Sequence, residues 1–215
     1  MSALSLFILP EERCVHHNAS LGALFAKRYS GSLLRNVVLR IQCIHSAFRQ
    51  EGTMKIEVAV VDYTNEKQAH DLVELLDGYA RDPMGGGEAL ETENKTRLVA
   101  ELSKLPHAFS VIAYADGKAA GLVNCFLGFS TFAARPLVNI HDVAVSSDFR
   151  GQGIAQHMLN KVEEIAKEKG CCKMTLEVLQ GNLTAQSSYR KFGFSGYELD
   201  PEMGQAVFWQ KKLAE

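Results

Sequence analysis

No stretch of this chain approaches ~18 uninterrupted apolar residues, so nothing in it reads as a membrane span. An excess of one charge is also missing: 23 Lys and Arg face 25 Asp and Glu, a formal net of −2. That balance removes the basic footprint expected of a nucleic-acid partner. The five cysteines (Cys14, Cys43, Cys125, Cys171 and Cys172) show neither metal-ligand spacing nor the even count of a disulfide framework. They read as reduced packing residues of a cytoplasmic protein, and no metal is called for. Repeats and low-complexity stretches are absent as well. What is present is ordinary globular material, 47% hydrophobic and 22% charged over 215 residues, enough for one well-buried domain with an appendage.

Acids are missing where the chain begins. Between Arg13 and Gln50 there are six basic residues and no Asp or Glu. Leu34, Val37, Val38, Ile41, Ile44 and Phe48 recur there at helical spacing. An Arg-bearing, acid-poor, amphipathic segment suits a transit peptide. It suits an interfacial helix or a helical appendage equally well. It also suits a Met54 initiator preceded by upstream sequence. Residues 1–53 are therefore expected to be an extension, helical or disordered, and residues 54–215 the domain proper.

From Met54 the pattern becomes regular. A strand is expected over 55–61, then a helix capped by Thr64 with Ala69, Leu72, Val73, Leu76 and Tyr79 on one face. The turn-rich segment 82–87 follows, then a second helix running to about Leu105 and burying Leu98, Val99, Leu102 and Leu105; Pro106 stops it. Strands over 109–115 and 119–129 flank an Asp116-Gly117 hairpin turn. Further strands are expected over 136–145 and 172–179, a short helix over 182–192, and closing strands over 196–199 and 206–211. This order is a mixed α/β layout.

The stretch Val143-Ala144-Val145-Ser146-Ser147-Asp148-Phe149-Arg150-Gly151-Gln152-Gly153-Ile154-Ala155 organises the rest. An apolar strand ends at Val145, and a glycine turn opens a helix. Ile154, Ala155, Met158, Leu159, Val162, Ile165 and Ala166 form one buried stripe on that helix, and Gly170 ends it. Unpaired N–H groups at such a turn, reinforced by the helix dipole, suit a phosphate or diphosphate. Gly151 and Gly153 let the anion approach the main chain with no Cβ in the way. No Lys-Ser/Thr pair follows Gly153, which argues against a nucleotide P-loop.

With Arg150, Gly153 and Ala155 matching Arg/Gln-x-x-Gly-x-Gly/Ala, the sequence resembles the GNAT (GCN5-related) N-acetyltransferases over about residues 55–213. The resemblance implies a central mixed, strongly twisted β-sheet flanked by helices. It also implies acetyl-CoA as co-substrate, its pyrophosphate held by Arg150, Gly151, Gln152, Gly153, Ile154 and Ala155. A second motif, Asn182 with Tyr189 seven residues on, is also common in that family. It implies that Asn182 contacts the pantetheine arm and that Tyr189 protonates the departing thiolate. Main-chain groups of Val143, Ala144 and Val145 are implied to bind the thioester carbonyl and pantetheine.

Transfer to an amine also needs a base. His141 and Asp142 are the candidates, read as adjacent strand residues on opposite faces. An imidazole titrates near neutrality and suits the task.

Phe129 to Pro136 followed by Ile140-His141-Asp142-Val143 is similar to the spermidine/spermine and diamine N-acetyltransferases. An acidic residue commonly stands at the position of His141 there, and this departure leaves polyamine specificity open. The expected activity is acetyl transfer to a small primary amine, polyamine or amino-acid-like acceptor. Rival readings are a protein amino-group acetyltransferase and a non-catalytic CoA sensor. A covalent acetyl-cysteine route lacks an activated thiol. A homodimer is expected by family analogy.

Overall fold

The structure, a computed structural model, describes residues 54–197, 202, 204 and 206–213. The expectations for residues 1–53 lie outside the described residues. Five strands form one sheet in the order β1 (Ile56–Val60), β2 (Ala108–Ala115), β3 (Lys118–Ser130), β4 (Arg135–Val145) and β5 (Met174–Leu176). The first three pairings are antiparallel, while β4 and β5 run parallel. Helices α1 (Glu66–Ala80) and α2 (Thr92–Leu102) join β1 to β2, α3 (Ile154–Glu168) joins β4 to β5, and α4 (Leu183–Phe192) follows β5.

Side-chain alternation along the strands divides the core in two. On one face Phe109, Val111, Ala113, Val123, Cys125, Val138 and Ile140 meet the stripe of α3, with Ile154, Met158, Leu159, Val162, Ile165 and Ala166 all buried. Ala155 is only partly buried. Each large side chain of that stripe stabilises the fold by ~1.5–3 kcal/mol relative to exposure. On the other face Ile112, Leu122 and Ala144 pack against Leu72 of α1 and Leu102 of α2. Gly121 lets α3 close on the sheet: a Cβ there would lie 2.7 Å from Met158 Cε and 3.0 Å from the Ala144 carbonyl oxygen.

Several local expectations are corrected. Asn65, not Thr64, caps α1, its side chain accepting the Gln68 N–H at 3.0 Å, while the Thr64 hydroxyl donates to Asp62. Helix α2 ends at Leu102, and Leu105 is exposed beyond it because Leu105 already belongs to the turn bonded back to Leu102. The strand expected over 172–179 shrinks to Met174–Leu176, since only 174–176 find partners on β4. Residues 206–211 form no strand and are exposed. Of the other closing strand, Gly196 and Tyr197 are not in a strand, and residues 198 and 199 lie outside the described residues.

Asp77 of α1 is buried at 5% exposure, an uncommon place for a carboxylate. It accepts from Lys95 of α2 at 2.8 Å, from Arg81 at 2.9 Å and from the Leu90 N–H at 2.8 Å. Lys95 above all holds its carboxyl down at about 2. This carboxylate ties the end of α1, the following loop and α2 together.

Candidate active site

Strand β4 decides where the site lies. Its pairing with β5 stops at Ile140 and Leu176, and β4 continues to Val145 with no strand beside it on that side among the described residues. A strand edge without a neighbour leaves main-chain donors and acceptors open. Val143, Ala144 and Val145, the residues the resemblance assigned to the thioester and pantetheine, lie on this stretch. At its end a 3-10 turn, Ser147–Phe149, leads through Arg150 to the glycines.

Gly151 and Gly153 adopt φ of 77° and 80°, in the left-handed region. Gly153 caps α3 with no side-chain hydrogen bond. Among the described residues no acceptor takes the N–H groups of Gly151, Gln152, Gly153, Ile154 or Ala155. Alternating backbone hand with free N–H groups at a helix start makes a concave anion site. Space is open where each glycine Cβ would be. Arg150 stands beside this turn, though its guanidinium is engaged: Nη2 donates to Asp82 Oδ2 at 2.9 Å and Nε to the Val145 carbonyl at 3.1 Å. Gln152 donates to the Asp148 carbonyl.

From β5 the chain turns into α4. Asn182 caps it, its Oδ1 accepting the Ala185 N–H at 3.1 Å, as its position in the sequence suggested. The Tyr189 ring packs into the α3-side core, edge-on to Phe194 at 6.0 Å. Its hydroxyl makes no hydrogen bond among the described residues, and no buried side-chain polar atom is left unpaired. The hydroxyl therefore opens onto accessible space. Burial pushes it up to about 12, and Tyr79 adds to the rise.

Tyr79, read from the sequence only as part of the buried face of α1, lines a hollow beside the end of β4. Burial raises its hydroxyl, and Asp142 and Asp82 raise it further. Tyr79 is thus within electrostatic reach of Tyr189, from the other face of the sheet, and of Asp142. A hollow of about 450 Å³ opens between α1 and the end of β4, lined by Asp71, Glu74, Tyr79, Asp82, Ala144 and Arg150 among others. Helical spacing alone could not distinguish this tyrosine from a core aromatic.

The placing of His141 and Asp142 is a correction. The β3–β4 register steps from Asn124↔Asp142 to Cys125↔Ile140, leaving His141 as the extra residue of a β-bulge. A bulge interrupts strict alternation. His141, exposed, meets the Phe126 ring edge-on at 5.6 Å, and Asp142 accepts from Asn124 Nδ2 at 2.9 Å. Phe126 and Asn124 are two apart on β3 and share a face. Both candidate bases therefore point to the side of α1 and α2.

The cysteine route gains nothing here. Cys125 is buried at 1% exposure, and burial pushes its thiol up, away from the thiolate form. Among the described residues no group of His, Cys, Asp and Glu gathers as a metal site, and no helix is long and apolar enough to cross a membrane.

The model of the acetyltransferase (GNAT) family matches residues 69–194, more than half of the chain. The chain belongs to the GNAT acetyltransferase family. Members of this family are acyltransferases that use acetyl-CoA, and the fold and open strand edge described above agree with membership. Thialysine N-epsilon-acetyltransferase of Bos taurus is 35% identical over 68 residues, 32% of this chain and 39% of that protein. A putative ribosomal protein bS18-alanine N-acetyltransferase of Bacillus subtilis is 29% identical over 93 residues, 43% of this chain and 58% of that one. The chain thus matches less than two thirds of the length of these curated relatives. Among solved structures, an aminoglycoside acetyltransferase from an uncultured soil metagenomic sample, in complex with sisomicin, aligns with a TM-score of 0.61 at 16% identity, covering 74% of this chain and 97% of that one. An aminoglycoside N-acetyltransferase in complex with CoA aligns with a TM-score of 0.59 at 20% identity, over 74% and 97%. At these identities the likeness is one of fold.

Proposed function

We propose that this protein is an acetyl-CoA-dependent N-acetyltransferase that moves the acetyl group to a primary amine of a small molecule (a polyamine, diamine or amino-acid-like acceptor) by direct attack in a ternary complex. The observation that carries this is the parting of β4 from β5 beyond Ile140 and Leu176, followed past the end of β4 by the free amides of the glycine turn. A thioester laid along that edge would have its diphosphate on the N–H groups of 151–155 beside Arg150. Its pantetheine would lie against the main chain of Val143, Ala144 and Val145 and the side chain of Asn182.

The chemistry follows from these positions. His141 takes a proton from the acceptor ammonium, directly or through a water, while the Asp142 carboxylate holds that ammonium. The freed nitrogen attacks the thioester carbonyl, and N–H donors on the open edge of β4 stabilise the oxyanion. The C–S bond then breaks, the departing thiolate takes the proton of Tyr189, whose hydroxyl burial pushes up to about 12, and the second proton shed by the acetylated nitrogen restores the tyrosinate to the phenol. The thialysine acetyltransferase relative supports a small-amine acceptor. The Bacillus subtilis relative favours a second reading, a protein amino group.

The test is acetyl-CoA turnover over a panel of spermidine, thialysine, lysine, an aminoglycoside and alanine-terminal peptides. Small amines are expected to be acetylated, one CoA released per product. Preference for the peptides would establish the second reading, and CoA binding with no turnover over the whole panel would leave a CoA sensor instead. We propose further that residues 54–215 form the catalytic domain and residues 1–53 a dispensable extension, that the protein acts in the cytoplasm, and that it is a homodimer. A 54–215 fragment that fails to fold would refute the division, and a monomeric mass in solution would refute the dimer.

A further inference from the structure

We propose that Asn124 is a positioning residue for the acceptor amine, fixing the Asp142 carboxylate through a one-way hydrogen-bond chain that begins at Tyr63. The inference rests on the reading that Asp142 faces the acceptor. Ser110, Asn124 and Asp142 stand side by side on β2, β3 and β4. Ser110 is 1% and Asn124 4% exposed, on a face whose other central residues are Ile112, Leu122 and Ala144. Two polar residues in such a place cost stability unless every bond is made, and an apolar pair would fill the same space.

The bonds run in a single direction. An ionised Asp142 can only accept, so the Asn124 amide must present Nδ2 to Asp142 Oδ2, at 2.9 Å. That leaves Asn124 Oδ1 to accept from the Ser110 hydroxyl at 2.7 Å. Ser110 has spent its one proton, so the Tyr63 hydroxyl, 2.9 Å away, donates to it. Three donors in series all point toward the carboxylate, and each polarises the next. Asp142 Oδ2 is held in this way, while Oδ1 has no partner among the described residues. Asp142 is half-buried on the β-bulge, within electrostatic reach of Tyr79. One oxygen is anchored and the other is left to accept from an incoming ammonium. A carboxylate free to rotate would lose that aim, and binding of the amine would suffer before the chemical step does.

The experiment compares Asn124→Leu, Ser110→Ala, Tyr63→Phe and Asp142→Asn, using the amine that the panel above shows to be turned over fastest. Asn124→Leu is expected to raise the KM for the amine ~10-fold, with kcat within about twofold and the acetyl-CoA Kd unchanged. Ser110→Ala and Tyr63→Phe should shift the amine KM the same way by about threefold, each removing a more distant link. Equal losses in kcat, amine KM and acetyl-CoA affinity in Asn124→Leu would reveal a merely structural residue and overturn the proposal. So would a native amine KM in Asn124→Leu beside a raised one in Asp142→Asn. If Asn124→Leu does not fold, a native amine KM in both of the other chain variants overturns it. A native amine KM in Asp142→Asn itself would instead remove the underlying reading of Asp142.

Discussion

Arg150 and Asp82 are joined by a 2.9 Å contact between Nη2 and Oδ2, which ties the loop after α1 to the turn before α3. The Met84 N–H and Arg150 both hold the Asp82 carboxyl below its ordinary range. A diphosphate bound at the glycine turn as proposed would compete with this carboxylate for the same guanidinium. Arg150 is 55% exposed in its side chain, so the pair contributes only ~0–1 kcal/mol. Asp82→Asn keeps an acceptor for the Met84 N–H and releases Arg150. Calorimetry should show acetyl-CoA binding ~2–5-fold tighter in Asp82→Asn and ~10-fold weaker in Arg150→Ala. Weaker binding in Asp82→Asn would show that the ion pair prepares the site instead of competing for it.

Among the described residues Tyr189 makes no hydrogen bond that ties up its proton, and burial pushes its hydroxyl up to about 12. Tyr189→Phe preserves the ring against Phe194 and removes only the donor. Its kcat should fall ~10²-fold with the acetyl-CoA Kd unchanged, since a departing-group acid acts in the transition state. An effect confined to KM would contradict the role.

Two glycines act for different reasons and should fail differently. Gly153 has φ of 80° with open space where a Cβ would be, so Gly153→Val strains the backbone and fills the space proposed for the anion. Acetyl-CoA binding should be abolished in a protein that still folds; unchanged affinity would refute the placement. Gly121 carries no ligand role. Its substitution by Ala puts a methyl against Met158 Cε and the Ala144 carbonyl, and the carbonyl cannot move aside. Denaturant unfolding should register a loss of ~1–3 kcal/mol.

Asp77 makes stability depend on acid. Its folded pKa is about 2, below the ordinary 3.8, so the folded state binds its proton less readily than the unfolded chain does. The stabilisation is complete above 3.8 and is lost as pH falls toward 2. Asp77→Asn should be less stable at neutral pH, and its stability should vary less with pH across that acid window. Parallel pH profiles for the two proteins would remove Asp77 from acid unfolding.

How far the sequence could be read differed from one element to the next. The α3 stripe and its glycine turn were legible because periodicity and φ preference are local properties, and six of the seven expected stripe residues are buried. Asn182 was legible as a cap for the same reason. The end of β5 was not, because a strand lasts only as long as its neighbour pairs with it, and β4 pairs with 174–176 alone. The shared face of His141 and Asp142 was hidden too. A bulge is a mismatch between two strands, and neither strand shows it by itself.

By itself, the sequence determined which segments carry helix or strand periodicity, which turn exposes its amides, and which family the motifs resemble. Those depend on neighbours a few residues away. The tertiary structure alone decided that Tyr79 comes within electrostatic reach of Tyr189, that Asn124 bonds Asp142, and that Asp82 pairs with Arg150. Each of these joins residues from different elements. Hydrogen bonds and charges act through space, and only the folded chain sets those distances.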